Sequence, residues 1–179
     1  MPFSITQFKG QLTGDGARPN LFEVQVPFVA GNDATQKMTF MCKGAQIPGE
    51  DIGLVEVPYF GRNIKLAGNR TFAEWTTTVI NDENFAVWDG LVGWMNLING
   101  HEENLQGLPS TPNGYQVNAS VRQYGKTGDL LKNVEFVNLW PSSIPAIELG
   151  WDTNDAIEEF AVTWQYDYWQ AIDNLTQTT

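Results

Sequence analysis

Alternation of apolar and polar residues with a period of two constrains this chain more than any other feature. It is clearest from Ile157 to Tyr168, where Phe160, Val162, Trp164, Tyr166 and Tyr168 fall on one side and Glu159, Ala161, Thr163, Gln165 and Asp167 on the other. Successive side chains of an extended chain point to opposite faces, so this pattern predicts a half-buried strand. It recurs at Asn20–Val29, Tyr115–Tyr124 and Leu130–Leu139, the last expected to stop at Trp140-Pro141. Thr71–Asn81 is nearly all β-branched or aromatic, which also favours a strand. Gly31-Asn32-Asp33 reads as a turn leading to a second extended run, Lys37–Lys43, with Met38, Phe40 and Cys42 on one side; the two runs predict a hairpin. A short extended piece is expected at Ala146–Leu149 and a loop at Gly107–Gly114.

One segment has helical spacing. Phe85, Trp88, Leu91, Val92, Met95 and Ile98 form a stripe, with Asn81 or Asp82 to cap its start and Asn99-Gly100 to end it. Six to eight strands, one helix and mostly turn-length connections exclude a regular β–α alternation. The expected fold is mainly β, an antiparallel β-sandwich or barrel-like subunit with one flanking α-helix. A length of 179 residues fits a single domain over 1–179, with an N-terminal segment at 1–16 and a polar C-terminal tail at 170–179, loose from Asp173 onward.

Ile47–Lys65 departs from both patterns. Pro48, Gly49, Gly53, Pro58 and Gly61 punctuate it, yet Ile52, Leu54, Val55, Val57, Tyr59 and Phe60 make it too apolar for an idle loop. It reads as an extended arm that packs either on its own domain or on a neighbour. The reading carried forward is burial of those six residues against an adjacent subunit.

The net charge is −11, unevenly placed: residues 1–70 carry +1 and residues 71–179 carry −12, with no Lys or Arg after Lys132. That balance argues against tightly held nucleic acid and against binding to anionic membranes. It suggests either a solvated acidic face or pairing of the basic first half of one copy, through Arg62, Lys65 and Arg70, with the acidic second half of another.

No catalytic, cofactor or metal site is expected. Gly125-Lys126-Thr127 has the tail of a phosphate-binding loop, but Ser120 stands where the first glycine belongs and no helix follows. Gly14-Asp15-Gly16 lacks the third glycine of a dinucleotide fingerprint. His101-Glu102-Glu103 is a single histidine beside acids after a helix end, and Cys42 is the only cysteine. Glu158-Glu159 point to opposite faces of a strand. An aromatic-rich, sheet-rich chain with an apolar arm and split charge points instead to self-assembly.

Several segments resemble the tail tube proteins of contractile-tailed phages of the T-even type. They are Ala17-Arg18-Pro19-Asn20-Leu21-Phe22, Cys42-Lys43-Gly44-Ala45 with Ile47-Pro48, Ala67-Gly68-Asn69-Arg70-Thr71-Phe72 with Trp75-Thr76-Thr77-Thr78-Val79 and Asn81-Asp82-Glu83, Val121-Arg122-Gln123-Tyr124, Leu139-Trp140-Pro141, Trp151-Asp152-Thr153-Asn154 and Asp167-Tyr168-Trp169. The resemblance implies a structural virion protein whose six-membered rings stack into a hollow tube, neighbouring subunits joining their sheets into a ring-lining β-barrel. It implies sheath, baseplate, tape-measure and tail-terminator partners, double-stranded DNA as a passenger, and assembly in the host cytoplasm. Polar strand faces become lumen candidates: Glu159, Thr163, Gln165 and Asp167 on the last strand and Glu23 and Gln25 on the first. The alternatives are a tube subunit of a related contractile injection system (type VI secretion or pyocin-like) and a ligand-binding β-sandwich.

Overall fold

The computed structural model describes residues 4–12, 14, 16–30, 32–107 and 114–172. Among them the elements run α1 (Ile5–Gln11), β1 (Phe22–Gln25), α2 (Asn32–Met41), β2 (Cys42–Ala45), β3 (Glu50–Tyr59), β4 (Arg62–Phe72), β5 (Trp75–Ile80), α3 (Ala86–Ile98), β6 (Val117–Tyr124), β7 (Leu130–Ser143), β8 (Glu159–Gln165) and β9 (Tyr168–Ile172). Gly31, Asp15, most of the expected loop at Gly107–Gly114 and the tail from Asp173 lie outside the described residues.

Seven strands form one antiparallel sheet in the order β1-β6-β7-β8-β5-β2, with β9 also paired to β7. β7 serves both ends of this sheet. Its first part pairs with β6 and β9, and its last part, Trp140–Ser143, pairs with β8. Between the two lies Asn138, at φ +59. At the same level the last strand breaks after Gln165, and Asn138 Nδ2 donates to Asp167 Oδ2 at 2.6 Å while the Asp167 N–H donates to the Val137 carbonyl at 3.1 Å. The sheet turns a corner here, and the two halves fold around one core.

Three buried tryptophans centre that core. Trp75 stacks on Phe136 with ring centroids 4.3 Å apart, and Trp164 packs against both Trp75 and Trp94. Each indole N–H is satisfied: Trp75 donates to the Gln46 carbonyl, Trp94 to the Tyr115 carbonyl and Trp164 to Thr77 Oγ1. A buried indole without such a partner would lose the hydrogen bond that water offered it.

The mainly β antiparallel fold and the α3 helix agree with the sequence; the single expected helix becomes three among the described residues, and several local expectations are corrected. Lys37–Lys43 is not a strand. It is the end of α2 running into β2, with Ala34 and Met38 buried at helical spacing and Phe40 84% exposed. The expected hairpin therefore does not form: β1 pairs with β6 and β2 with β5. The strand ended at Trp140-Pro141 continues to Ser143, because Trp140–Ser143 pairs on one side only and Pro141 has no ladder N–H to supply on the other. The long last strand is two strands, and the break at Tyr166-Asp167 turns Trp169 toward the core and leaves Tyr168 outside. Ala146–Leu149 is not a strand, and β9 carries the chain through Ile172, so the first three residues of the 170–179 segment belong to the sheet.

Candidate assembly surfaces

β3 and β4 form a two-stranded sheet that pairs with no other strand among the described residues. Every residue of β3 is exposed, and in β4 only Gly68 and Phe72 are not. The register sorts this hairpin into two faces. Val55, Val57 and Tyr59 lie opposite Leu66, Ile64 and Arg62 on one, and Leu54, Glu56 and Pro58 lie opposite Ala67, Lys65 and Asn63 on the other. Below a bulge, where the backbones at Gly53 and Gly68 approach so closely that an added Cβ on Gly68 would meet the Gly53 carbonyl oxygen at 3.0 Å, Ile52 pairs with Arg70. The six arm residues are thus not one patch. Val55, Val57 and Tyr59 share the apolar face, Ile52 and Leu54 lie on the charged one, and Phe60 occupies the tip.

Two of the arm's three bases sit beside its own acids. Arg70 Nη1 is 3.3 Å from Glu50 Oε2, Lys65 faces Glu56 across the strands, and Arg62 flanks the tip. The tip itself is a two-residue turn with both residues in the left-handed region, Phe60 at φ +43 and Gly61 at φ +79.

The lumen candidates occupy the outward face of the large sheet at several places. Glu23 and Gln25 on β1 lie opposite Arg122 and Ser120, and the face continues through Asn133 and Glu135 on β7 to Gln170 on β9. Gln25 Nε2 donates to Glu23 Oε1 at 3.0 Å and the Tyr124 hydroxyl donates to Glu23 Oε2 at 2.5 Å. The Tyr124 hydroxyl holds the Glu23 carboxyl below its ordinary value, with smaller help from Gln25 and Arg122, and the same bond pushes the Tyr124 phenol up. Glu159, Thr163 and Gln165 line the outward face of β8; Glu159 pairs with Lys43 at 2.5 Å and Gln165 Nε2 donates to Glu74 Oε1 at 2.7 Å. Asp167 does not continue that row, because it is held at the corner by Asn138.

A family profile described as phage tail tube protein matches residues 10–172. The chain is also 36% identical over 159 residues to the tail tube protein gp19 of Enterobacteria phage T4, which spans 88% of this chain and 93% of that protein. The chain belongs to the phage tail tube protein family. As such it is a structural protein of a contractile phage tail. Solved structures share the fold at lower identity. A chain of the six-fold-symmetrised anti-feeding prophage baseplate superposes with a TM-score of 0.62 at 10% identity, over 88% of this chain and 95% of that one. A chain of the PVC extracellular contractile injection system, in its extended sheath–tube complex, does so at 0.59 and 16%, over 96% and 100%.

For a tail tube subunit, two parts of these surfaces escaped sequence reasoning. Ile64 and Leu66 complete the apolar face of the hairpin, and their signal was present: they alternate with Asn63 and Lys65 just past a Phe-Gly turn. Arg122 and Glu135 join Glu23 on one polar face, which only the register of β1, β6 and β7 discloses.

Proposed function

We propose that this chain forms six-membered rings that stack into a hollow tail tube, with the hairpin Glu50–Phe72 buried against an adjacent subunit. The hairpin carries the reading. An isolated two-stranded hairpin is marginal in water, and this one holds Val55, Val57, Tyr59, Ile64 and Leu66 between 41% and 61% exposed on one face. A neighbour that covers this face removes the apolar area from water and completes the sheet's packing.

The outward polar face of the large sheet, with Glu23, Gln25, Thr163 and Gln165, lines the lumen. Double-stranded DNA passes along it as a passenger, since a wall of like net charge repels phosphates. The tube meets a sheath, a baseplate, a tape-measure protein and a terminator, and it assembles in the host cytoplasm. The role is structural and no catalysis is assigned.

Replacing Val57 and Leu66 together by Ser tests the reading. The subunit should keep its circular dichroism and urea midpoint, because both side chains are exposed in the single chain, and it should no longer form tubes. Unfolding, or normal tubes, would contradict it.

A further inference from the structure

Two features of the subunit lack a reason within it. The first is Phe60, a bulky residue at a turn position ordinarily taken by Asn, Asp or Gly, with φ +43 and 91% exposure. Tyr59 packs edge to face on it, ring centroids 4.6 Å apart, and Arg62 follows. Strain of this kind persists where surroundings hold it, and the described residues leave this ring open to solvent apart from its contact with Tyr59.

The second is a groove of about 610 Å³ between α3 and the segment after β7. Of the six residues in the helix stripe expected from sequence only Leu91 is buried, and the buried face is completed by residues outside that stripe. Val87, Leu91 and Trp94 are buried in the core, whereas Phe85, Trp88, Val92 and Met95 face the groove, with Ile147 and Leu149 opposite. Phe85 is itself left-handed, at φ +51, with its ring edge-on to Trp88. Glu158 and His101 are the polar side chains of its lining. Glu158 accepts from Asn81 Nδ2 at 2.5 Å and faces no cation among the described residues.

We infer that the Tyr59–Phe60 tip of one copy seats in the α3 groove of a second copy, with Arg62 set against Glu158. This rests on the assembly reading above and names the receiving surface. The match is chemical on both counts: an aromatic pair flanked by a cation meets an aromatic-lined groove carrying a half-buried carboxylate. The groove has the volume of a small-ligand site, enough for two rings, and aromatic rings pack there edge to face with Phe85 and Trp88. A strand of ten residues reaches about 33 Å, which carries the tip well away from its own base. The occupied groove then supplies the surroundings that hold Phe60 in its strained conformation.

The test places the photoreactive residue p-benzoylphenylalanine at position 60, preserving an aromatic tip, and co-assembles this variant with an excess of isotopically heavy wild-type chain. After irradiation of assembled tubes, adducts should map to residues 85–95 or 144–149 of the heavy chain. Well-formed tubes whose adducts lie elsewhere, or only within the light chain, overturn the contact and leave the assembly reading standing. The competing occupant is a neighbour's α1, whose Ile5, Phe8 and Leu12 are exposed; the same probe at position 8 reacting with 85–95 also overturns it. Wild-type chain that forms no oligomer overturns both readings. A second variant, Phe60→Asn, suits the turn and should leave the urea midpoint of the free subunit equal or higher, yet raise the critical concentration for tube formation by at least about tenfold. An unchanged critical concentration contradicts the contact.

Discussion

The Trp164 indole N–H donates to Thr77 Oγ1 at 2.9 Å, and both side chains are fully buried. This bond ties β8 to β5 from within the core. Thr77→Val keeps the volume but leaves a buried donor unpaired, which should cost about 1–3 kcal/mol. Thr77→Ser keeps the bond and loses one methyl, about 1 kcal/mol. Urea unfolding followed by tryptophan fluorescence should rank wild type above Ser and Ser above Val. A Val variant as stable as wild type would contradict the role given to this pair.

Gly90 marks where α3 meets α2. A Cβ there would lie 2.7 Å from the Ala34 Cβ and 3.2 Å from the Phe28 ring, whereas at Gly93 the nearest atom is the Ala30 Cβ at 3.5 Å. Alanine gains about 1 kcal/mol of helix propensity over glycine at either site. Gly93→Ala should therefore be neutral or stabilising, while Gly90→Ala should be net destabilising by about 1–3 kcal/mol through overpacking. Thermal melts of the two variants check the contrast; equal gains would show that the helices separate without resistance.

Acid should loosen the start of α3. The ammonium of Lys37 donates to Asp82 and holds its carboxyl below the ordinary value, with a smaller contribution from the Ala86 N–H, which donates to Asp82 Oδ1 at 3.1 Å. A carboxyl depressed in the folded state contributes its stability above the unfolded value, about 3.9, and loses it as pH falls through the folded value. Urea midpoints from pH 7 to 3 should fall in the acid limb for wild type and less steeply for Asp82→Asn. Parallel curves would assign the acid sensitivity elsewhere.

Lysines placed on the outward strand face probe the lumen. Gln25→Lys, Thr163→Lys and Gln165→Lys in one chain should leave tubes intact and slow DNA passage, most visibly at low salt, through new phosphate contacts. Unchanged ejection kinetics would remove these residues from the lumen wall. Failed assembly would place them at a subunit interface.

Much of this architecture is legible from residue patterns. Alternation locates β6, β7 and β8, because each has one buried and one outward face, and helical spacing locates α3. α2 was hidden because Met38, Phe40 and Cys42 mimic a strand face, while the true helical set, Ala34 and Met38, offers few large apolar side chains to mark it. The corner at Asn138 and Asp167 was hidden for a different reason. Pairing partners change just before Pro141, which in the sequence reads as the end of a strand and not as a change of partner. The hairpin was legible as an apolar extended segment, but its division into faces depends on the bulge at Gly53 and Gly68, a register property that spacing alone does not carry. The polar face suffers the same limit, since Glu23, Arg122 and Glu135 are neighbours only across strands.

The chemistry of Cys42 is consistent with a structural role. Burial pushes its thiol up to about 12, so it should resist maleimide in the folded subunit at pH 8 and react fully in urea. Ready labelling of the native protein would show that the β2–β5 edge opens.

Electron microscopy of the concentrated, purified chain tests the central claim most directly. Particles should average to rings with six-fold symmetry, stacked into tubes with an open lumen. Rings of another symmetry, or a strict monomer even within assembled virions, would contradict the account.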